Sequence, residues 1–373
     1  MFSCNHKISM RQVYRLFVFD LIGVSTLELP ARLAYVSGND GLLAILIGGV
    51  IASGYLWYLG RILSGMETDI VTYMEQALPI WLAKLIMIFL AFHAVCEAGF
   101  GAYIFSDVMK RGLIPEESYT LILVLILLVS AYAVHGGIES RARIYEILFW
   151  VLAVSLFFMF LVAFGDLDWE YVGPFFMRSA SGVVQGGILE FLCYTPIFAI
   201  LFFPAYVEKK KQKKLVGAVM AALWSAVLVL FVLYVILLGS FGSGALMQME
   251  YPAVTLMSSI HLRSSFLKRF DSFMLAIWFF TLFAVISLFL FYGAKLLCAV
   301  FSPTKRKGAA GQWIALIGVT LLVFAVAELF YYLEWDQLFR NYLYYVGAPM
   351  LVLLPGFVLV VGKAGKRQSS DSI

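Results

Sequence analysis

Apolar residues run in ten long blocks along this chain, at 16–34, 41–60, 81–106, 119–135, 144–164, 184–206, 215–239, 270–297, 313–332 and 342–361, and charged residues gather between them. A helix needs roughly 20 mostly apolar residues to cross a bilayer, and a helix satisfies its own backbone polar groups where no water can. The pattern therefore predicts ten membrane-spanning helices joined by short connections, with no room for a large soluble domain. Two connecting segments have a pattern of their own. At 64–79, SGMETDIVTYMEQALP sets Met66, Ile70, Tyr73, Met74 and Ala77 against Glu67, Asp69 and Glu75 at helical spacing, which reads as a short amphipathic helix on the membrane surface. At 243–269 an apolar face through Val254, Met257, Ile260 and Leu262 predicts one or two interfacial helices.

Composition agrees: 62% of residues are hydrophobic and only 13% charged, well outside the range of soluble globular domains. The fold class expected is an all-α integral membrane protein in which residues 1–373 form a single transmembrane domain, with a tail at 363–373. The first block is a mature helix rather than a cleaved signal, because Asp20 and Glu28 interrupt it and no small-residue cleavage site follows. The net charge of +4 matters less than its distribution. An even number of spans with both termini in the cytoplasm puts Arg11, Arg15, Arg61, Lys84, Arg141, Arg143, Lys295, the run 209–214, the cluster 305–307 and the basic tail on one side, as orientation requires. Beside a spanning helix the lysine run reads as topogenic or lipid-facing rather than as a nucleic-acid patch. Of four cysteines, Cys96, Cys193 and Cys298 fall in predicted spans and Cys4 precedes them, so no disulfide framework is indicated.

Spans one and six share a feature. Each ends in an apolar-Pro-Ala triplet, at 29–31 and 203–205, and each has helix-weakening residues upstream: Gly23, Val24, Ser25 and Thr26 in the first, Tyr194, Thr195 and Pro196 in the second. Interruptions at equivalent places are what a five-plus-five inverted repeat shows, here 16–164 and 184–362. A broken helix is tolerated in a membrane only where its freed groups face protein, water or ligand. In span one a half-helix starting after Gly23 would present the N–H groups of Ser25, Thr26 and Leu27 to a carboxylate. In span six Pro196 lacks an N–H and its ring disturbs the Leu192 carbonyl, so freed carbonyls with the Tyr194 and Thr195 hydroxyls would suit an ammonium group. Together these suit a zwitterionic amino acid.

Asp20, Glu28, Glu97, Glu190 and Glu328 lie at membrane depth, each costing at least ~2.5 kcal/mol, so each should face an interior or polar cavity. Glu28 either pairs with Arg32 one turn on or serves the site. His93 and Glu97 form either a polar packing pair or a proton relay; no His or Cys cluster completes a metal site. Glu190 either reaches a bound ammonium group or snorkels to the interface. There is no phosphate loop, HExxH or GxSxG motif, so nothing points to an enzyme or a cofactor.

The chain resembles the spore germination permease family, the B subunits of nutrient germinant receptors. The resemblance rests on ISMRQ at 8–12, the Gly23 to Pro30 segment, GIESRARIYEILF at 137–149, Phe203-Pro204 before the lysine cluster, YPAVTLMSSI at 251–260 and FLKRFDSFMLAIW at 266–278. It implies the ten-helix inverted-repeat fold of the amino acid, polyamine and organocation transporter superfamily. It also implies a sensor that binds an amino acid or similar small germinant, alongside A and lipoprotein C subunits in the spore inner membrane. The alternative implied by the same fold is an amino acid permease. Carried onto this sequence, the pocket would involve Gly23, Val24, Ser25, Thr26, Tyr194, Thr195 and Pro196. The chain departs from relatives in having Thr195-Pro196-Ile197 where many carry a small residue, Phe and Glu, and Ser25 where transporters often place a second glycine. No ionisable residue occurs at 147–164, where proton-coupled relatives carry a lysine.

Overall fold

The computed structural model describes residues 7–66, 68–176, 179–259, 270–301 and 309–370, and every regular element among them is a helix. The first begins where Ser9 and Gln12 cap it reciprocally: the Ser9 N–H donates to Gln12 Oε1 at 2.9 Å and the Gln12 N–H donates to Ser9 Oγ at 3.3 Å. This helix, α1 (Met10–Leu27), stops at Glu28, and α2 (Leu29–Ser37) resumes with Pro30 in its first turn, where a missing N–H costs nothing. The chain returns as α3 (Gly41–Leu63), passes through the short α4 (Ile70–Ala77), and continues as α5 (Ile80–Gly112), α6 (Tyr119–His135) and α7 (Gly137–Ala163). Asp69 caps α4 by accepting the Thr72 N–H at 3.1 Å, and Ser118 caps α6 by accepting that of Leu121 at 3.1 Å.

The second half opens with α8 (Ala180–Cys193), which passes into a 3₁₀ segment, Thr195–Tyr206. It continues through α9 (Leu215–Leu246), the short α10 (Pro252–Ser259), α11 (Phe270–Phe301), α12 (Ala309–Leu333), the short α13 (Asp336–Tyr342), a π turn at Leu343–Gly347 and α14 (Ala348–Ser370). Among the described residues, eight helical stretches are long and apolar enough to cross a membrane. Two further helices occupy predicted span positions: α6, with 17 residues, and α1, which carries Arg11, Arg15 and Asp20. The protein is a multi-pass, all-α membrane protein. The surface segments fall at α4 and α10 as the pattern predicts. Ile260 and Leu262 lie outside the described residues, as does Cys4.

One boundary differs in a way that matters later. Hydropathy places span five at 144–164, but α7 begins at Gly137, whose φ of +74° suits glycine alone at the turn from α6. Arg141 and Arg143 are thereby part of the helix.

The interior is apolar, and large apolar side chains also face outward on several of the helices. On α7, Trp150, Phe157, Phe158 and Leu161 are exposed, as are Ile314, Ile317 and Leu321 on α12. Faces of that kind belong against lipid tails. In the interior α5 packs along α11, α3 against α8, and α1 sits among α7, α9 and α11. Each set of five spans starts with an interrupted helix, α1/α2 and α8 with its 3₁₀ tail. Since five crossings bring the chain to the opposite face, the second set is inverted relative to the first.

Candidate functional site

The break in helix six follows from Pro196. Its ring bars the Leu192 carbonyl from an α-helical bond, and that carbonyl instead accepts the Thr195 hydroxyl at 2.9 Å. The same hydroxyl lies 3.4 Å from Glu97 Oε1 on α5, so one side chain both seals the break and faces a buried carboxylate. Beyond it the chain stays 3₁₀ for 12 residues, far longer than such helices usually run.

Helix one breaks later than its sequence suggests. Residues 23–26 lie within continuous α1, and the N–H groups of Ser25, Thr26 and Leu27 are not exposed to a ligand. The Ser25 hydroxyl donates back to the Leu21 carbonyl and that of Thr26 to the Ile22 carbonyl, both at 2.6 Å, and both side chains are fully buried. The cause is packing. A Cβ on Gly23 would lie 2.9 Å from the Thr281 carbonyl oxygen of α11, so this glycine serves the close approach of two helices rather than a loosened backbone. The interruption is slight: it falls at Glu28, which keeps α-helical backbone angles and whose N–H donates to the Val24 carbonyl at 3.1 Å, and it arises because Pro30 offers no N–H to the ladder.

Between the two interruptions lies a cavity of about 230 Å³. Asp20, Val24, Glu28 and Arg32, successive turns of one face of α1/α2, form one wall over roughly 18 Å. Glu97 and Phe100 of α5 face them, and Gln185, Leu189, Leu192, Cys193, Thr195 and Pro196 form the helix-six wall. Of the residues singled out from sequence, Asp20, Val24, Glu28, Glu97, Thr195 and Pro196 line the cavity. Gly23, Ser25 and Thr26 do not, and neither do Tyr194 and Glu190, which are fully buried. Glu190 points towards Gly48 of α3, with the Tyr194 hydroxyl beside it.

Glu97 Oε1 is 3.5 Å from His93 Nε2, and His93 Nδ1 is 3.3 Å from the Tyr342 hydroxyl, which ties α5 to the start of the π turn. At the mouth Glu28 accepts from Arg32 at 3.2 Å and from Arg340 of α13 at 2.9 Å, and Arg340 also pairs with Asp336. This charged cluster stands where the cavity meets a wider vestibule of about 460 Å³, bounded by Tyr35, Tyr103, Met247 and Tyr251 at the end of the molecule away from the N-terminus. Arg340, Asn341 and Tyr344 carried no signal in the sequence, because each reaches the cavity from a helix end or an irregular turn; Gln185, in the second turn of α8, also lines it. Asp20 did carry one: it is an acid at membrane depth with no basic partner one turn away. Its partner is Arg141 of α7, at 2.5 Å.

Residues 7–329 match the family described as Spore germination protein. Relatives align end to end. Spore germination protein YndE of Bacillus subtilis (strain 168) is 23% identical, with 98% of this chain and 99% of that protein covered. Spore germination protein A2 of the same organism is 21% identical, with 97% of each chain covered. Spore germination protein GerLB of Bacillus cereus is 21% identical, with 98% and 97% covered. Among solved structures, one titled as the substrate-bound outward-open state of a Na+-coupled sialic acid symporter superposes with a TM-score of 0.65 at 13% identity, covering 95% of this chain and 78% of that one. At that identity the likeness is one of fold.

Proposed function

The chain belongs to the spore germination protein family, and from that premise we propose that it is a germinant-receptor subunit whose cavity between helices one and six binds an amino acid or similar small zwitterion. The observation that carries this reading is the meeting of Glu97 and Thr195 at the helix-six break, on the wall of a cavity lined by both polar and apolar side chains. An ammonium group docks against Glu97, whose neighbours His93 and Thr195 bring no fixed positive charge. The carboxylate turns towards Arg32 and Arg340 at the mouth, taking over contacts now made by Glu28 and Asp336. This replaces the helix-one N–H groups as the carboxylate partner.

A ligand that bridges Glu97 on α5 and Arg340 on α13 has different affinity for arrangements in which those elements are near or apart, and differential affinity is all that signalling requires. No catalytic step is part of this reading. The receptor works in the spore inner membrane with both termini cytoplasmic, beside A-type and lipoprotein C-type subunits. Thermal denaturation of the full-length chain in nanodiscs across a panel of L-amino acids tests the binding step. A stabilising shift from at least one amino acid, lost in Glu97→Gln, is expected; no shift from any of them counts against the site.

A second reading is supported by the transporter fold: an amino acid permease. Proteoliposomes holding the chain alone separate the two, since accumulation of labelled amino acid favours transport and binding without accumulation favours sensing.

A further inference from the structure

Helix six closes beside the N-terminal segment. Three consecutive carbonyls at the end of the 3₁₀ segment Thr195–Tyr206 take donors from outside it: Gln212 Nε2 donates to that of Pro204 at 3.0 Å, Lys7 Nζ to that of Ala205 at 2.7 Å, and the Ile8 N–H to that of Tyr206 at 2.8 Å. Gln212 belongs to a second 3₁₀ helix, Lys209–Lys214, of sequence KKKQKK. In that geometry residues three apart share a side, so a Gln212 turned inward leaves the pairs 210 and 213, and 211 and 214, on the other two sides. Glu208 pairs with Lys211 at 3.0 Å, while Lys209, Lys210, Lys213 and Lys214 are exposed and have no acidic partner among the described residues. Four unpaired positive charges are thus carried on a folded element that caps helix six.

The run joins two spanning stretches, with two residues between Tyr206 and Lys209 and none between Lys214 and Leu215. Its ammonium groups therefore lie within a Debye length, about 8–10 Å, of the bilayer surface. What they overlie is read from α9, whose exposed side runs through Gly217, Ala221, Trp224 and Leu228 at helical spacing, the last two 40% and 62% exposed. Large apolar side chains in that row belong against lipid tails. Lys213 and Lys214 stand one turn before Gly217, so the row continues into them and places them over lipid headgroups rather than over protein. We propose that the helix at 209–214 is a binding site for anionic phospholipid of the adjoining leaflet, and that lipid bound there fixes the Gln212 cap on the end of helix six. Orientation during insertion asks only for positive charge in a short loop. It asks neither for a folded run nor for a glutamine within it that caps a neighbouring helix. None of this depends on which ligand the cavity takes.

The test uses the full-length chain in nanodiscs of phosphatidylcholine with and without phosphatidylglycerol. Spin-labelled phosphatidylglycerol should be held at the protein severalfold more than spin-labelled phosphatidylcholine, since one basic residue near an anionic surface is worth roughly fivefold. The preference should fall towards equality in about 1 M salt, where charges are screened beyond ~3 Å, and in Lys209→Gln/Lys210→Gln/Lys213→Gln/Lys214→Gln, whose changes are all at exposed positions. Equal retention of the two lipids by the unaltered chain at low salt overturns the proposal without any variant, and a preference that survives the four changes overturns the site. Hydrogen exchange at the Ile8 amide reads the cap. It should be slower with phosphatidylglycerol than without, and the difference should vanish in Gln212→Ala; exchange indifferent to lipid in the unaltered chain refutes the hold on helix six. Inorganic phosphate added to phosphatidylcholine discs should leave exchange unchanged. If it slows exchange as phosphatidylglycerol does, the lysines take free phosphate and the lipid site is refuted.

Discussion

Replacing Gly23 by alanine separates the two roles this glycine can have, a loosened backbone that exposes N–H groups or a gap that admits a neighbouring helix. An alanine Cβ would sit 2.9 Å from the Thr281 carbonyl oxygen, 3.0 Å from its carbon and 3.3 Å from the Leu282 nitrogen. All three are backbone atoms of α11 and have no rotamer to escape into. Relieving the contact means moving α1 from α11 by roughly half an ångström, and overpacking of this kind costs about 1–3 kcal/mol. Alanine's better helix propensity offsets up to ~1 kcal/mol of that. Gly54 on α3 supplies the comparison, because a Cβ there meets nothing within 4 Å and gains the propensity alone. The difference between Gly23→Ala and Gly54→Ala therefore isolates the packing term, about 1–3 kcal/mol. Measured as melting midpoints in nanodiscs, Gly23→Ala should fall clearly below Gly54→Ala, with the germination response to amino acids unchanged in specificity. If the two variants melt alike while Gly23→Ala alters specificity, the glycine serves ligand and the packing account is refuted.

Glu97→Gln keeps shape but removes the charge, and a charged hydrogen bond of about 1.5–3 kcal/mol predicts a roughly 10- to 100-fold rise in the amino acid concentration needed for half-maximal response. Thr195→Val leaves the Leu192 carbonyl without its 2.9 Å hydroxyl partner, so about 1–3 kcal/mol of stability should be lost, read as a lower melting midpoint even without ligand. Arg340→Gln removes a partly exposed ion pair at the mouth; stability should change by less than ~1 kcal/mol while ligand dissociation, followed by stopped flow, becomes faster. At the opposite end, burial pushes the Asp69 carboxyl up, but the Lys295 ammonium, with hydrogen bonds from Lys295 and Thr72, outweighs it and holds the group below its ordinary 3.8. A depressed carboxylate stabilises the fold fully above pH 3.8 and progressively less as pH falls below it, so acid denaturation curves should show this loss and Asp69→Asn should flatten it.

Most of the helical plan is legible in the chain because each spanning helix is a local object: length, apolarity and caps decide it. The block at 119–135 becomes α6 with those bounds, and the capping pair Ser9 and Gln12 is written into the ISMRQ run. The break in helix six is legible for the same reason, since Pro196 acts on a carbonyl one turn away. Helix one misleads because its glycine, serine and threonine have two meanings. In a solvated chain they loosen a helix; beside a packed neighbour the glycine admits backbone and the hydroxyls bond to their own helix, as at Leu21 and Ile22. Only the presence of α11 decides which meaning holds, and no local window contains α11. Arg340, Asn341 and Tyr344 are hidden likewise, since their place at the mouth depends on how α13 and the π turn fold over α5.

The misplaced start of α7 has a different physical origin, and it reaches to the centre of the molecule. A hydropathy reading counts each ion alone, at several kcal/mol in hydrocarbon, and so ends a span where charges begin. That makes 137–143 look like a loop and Asp20 like an isolated liability. Neither ion is alone in the fold: Asp20 and Arg141 are 2.5 Å apart, both buried, with Ala284 and Ser287 completing the guanidinium's contacts. Removing one partner of such a pair is expected to cost about 3–5 kcal/mol, whereas replacing both by apolar groups can cost little. The sequence holds both charges although a leucine pair would be cheaper to bury, so stability alone does not account for them. What the charged pair adds is position: it fixes where α1, α7 and α11 meet, directly beneath the cavity whose wall Asp20 shares.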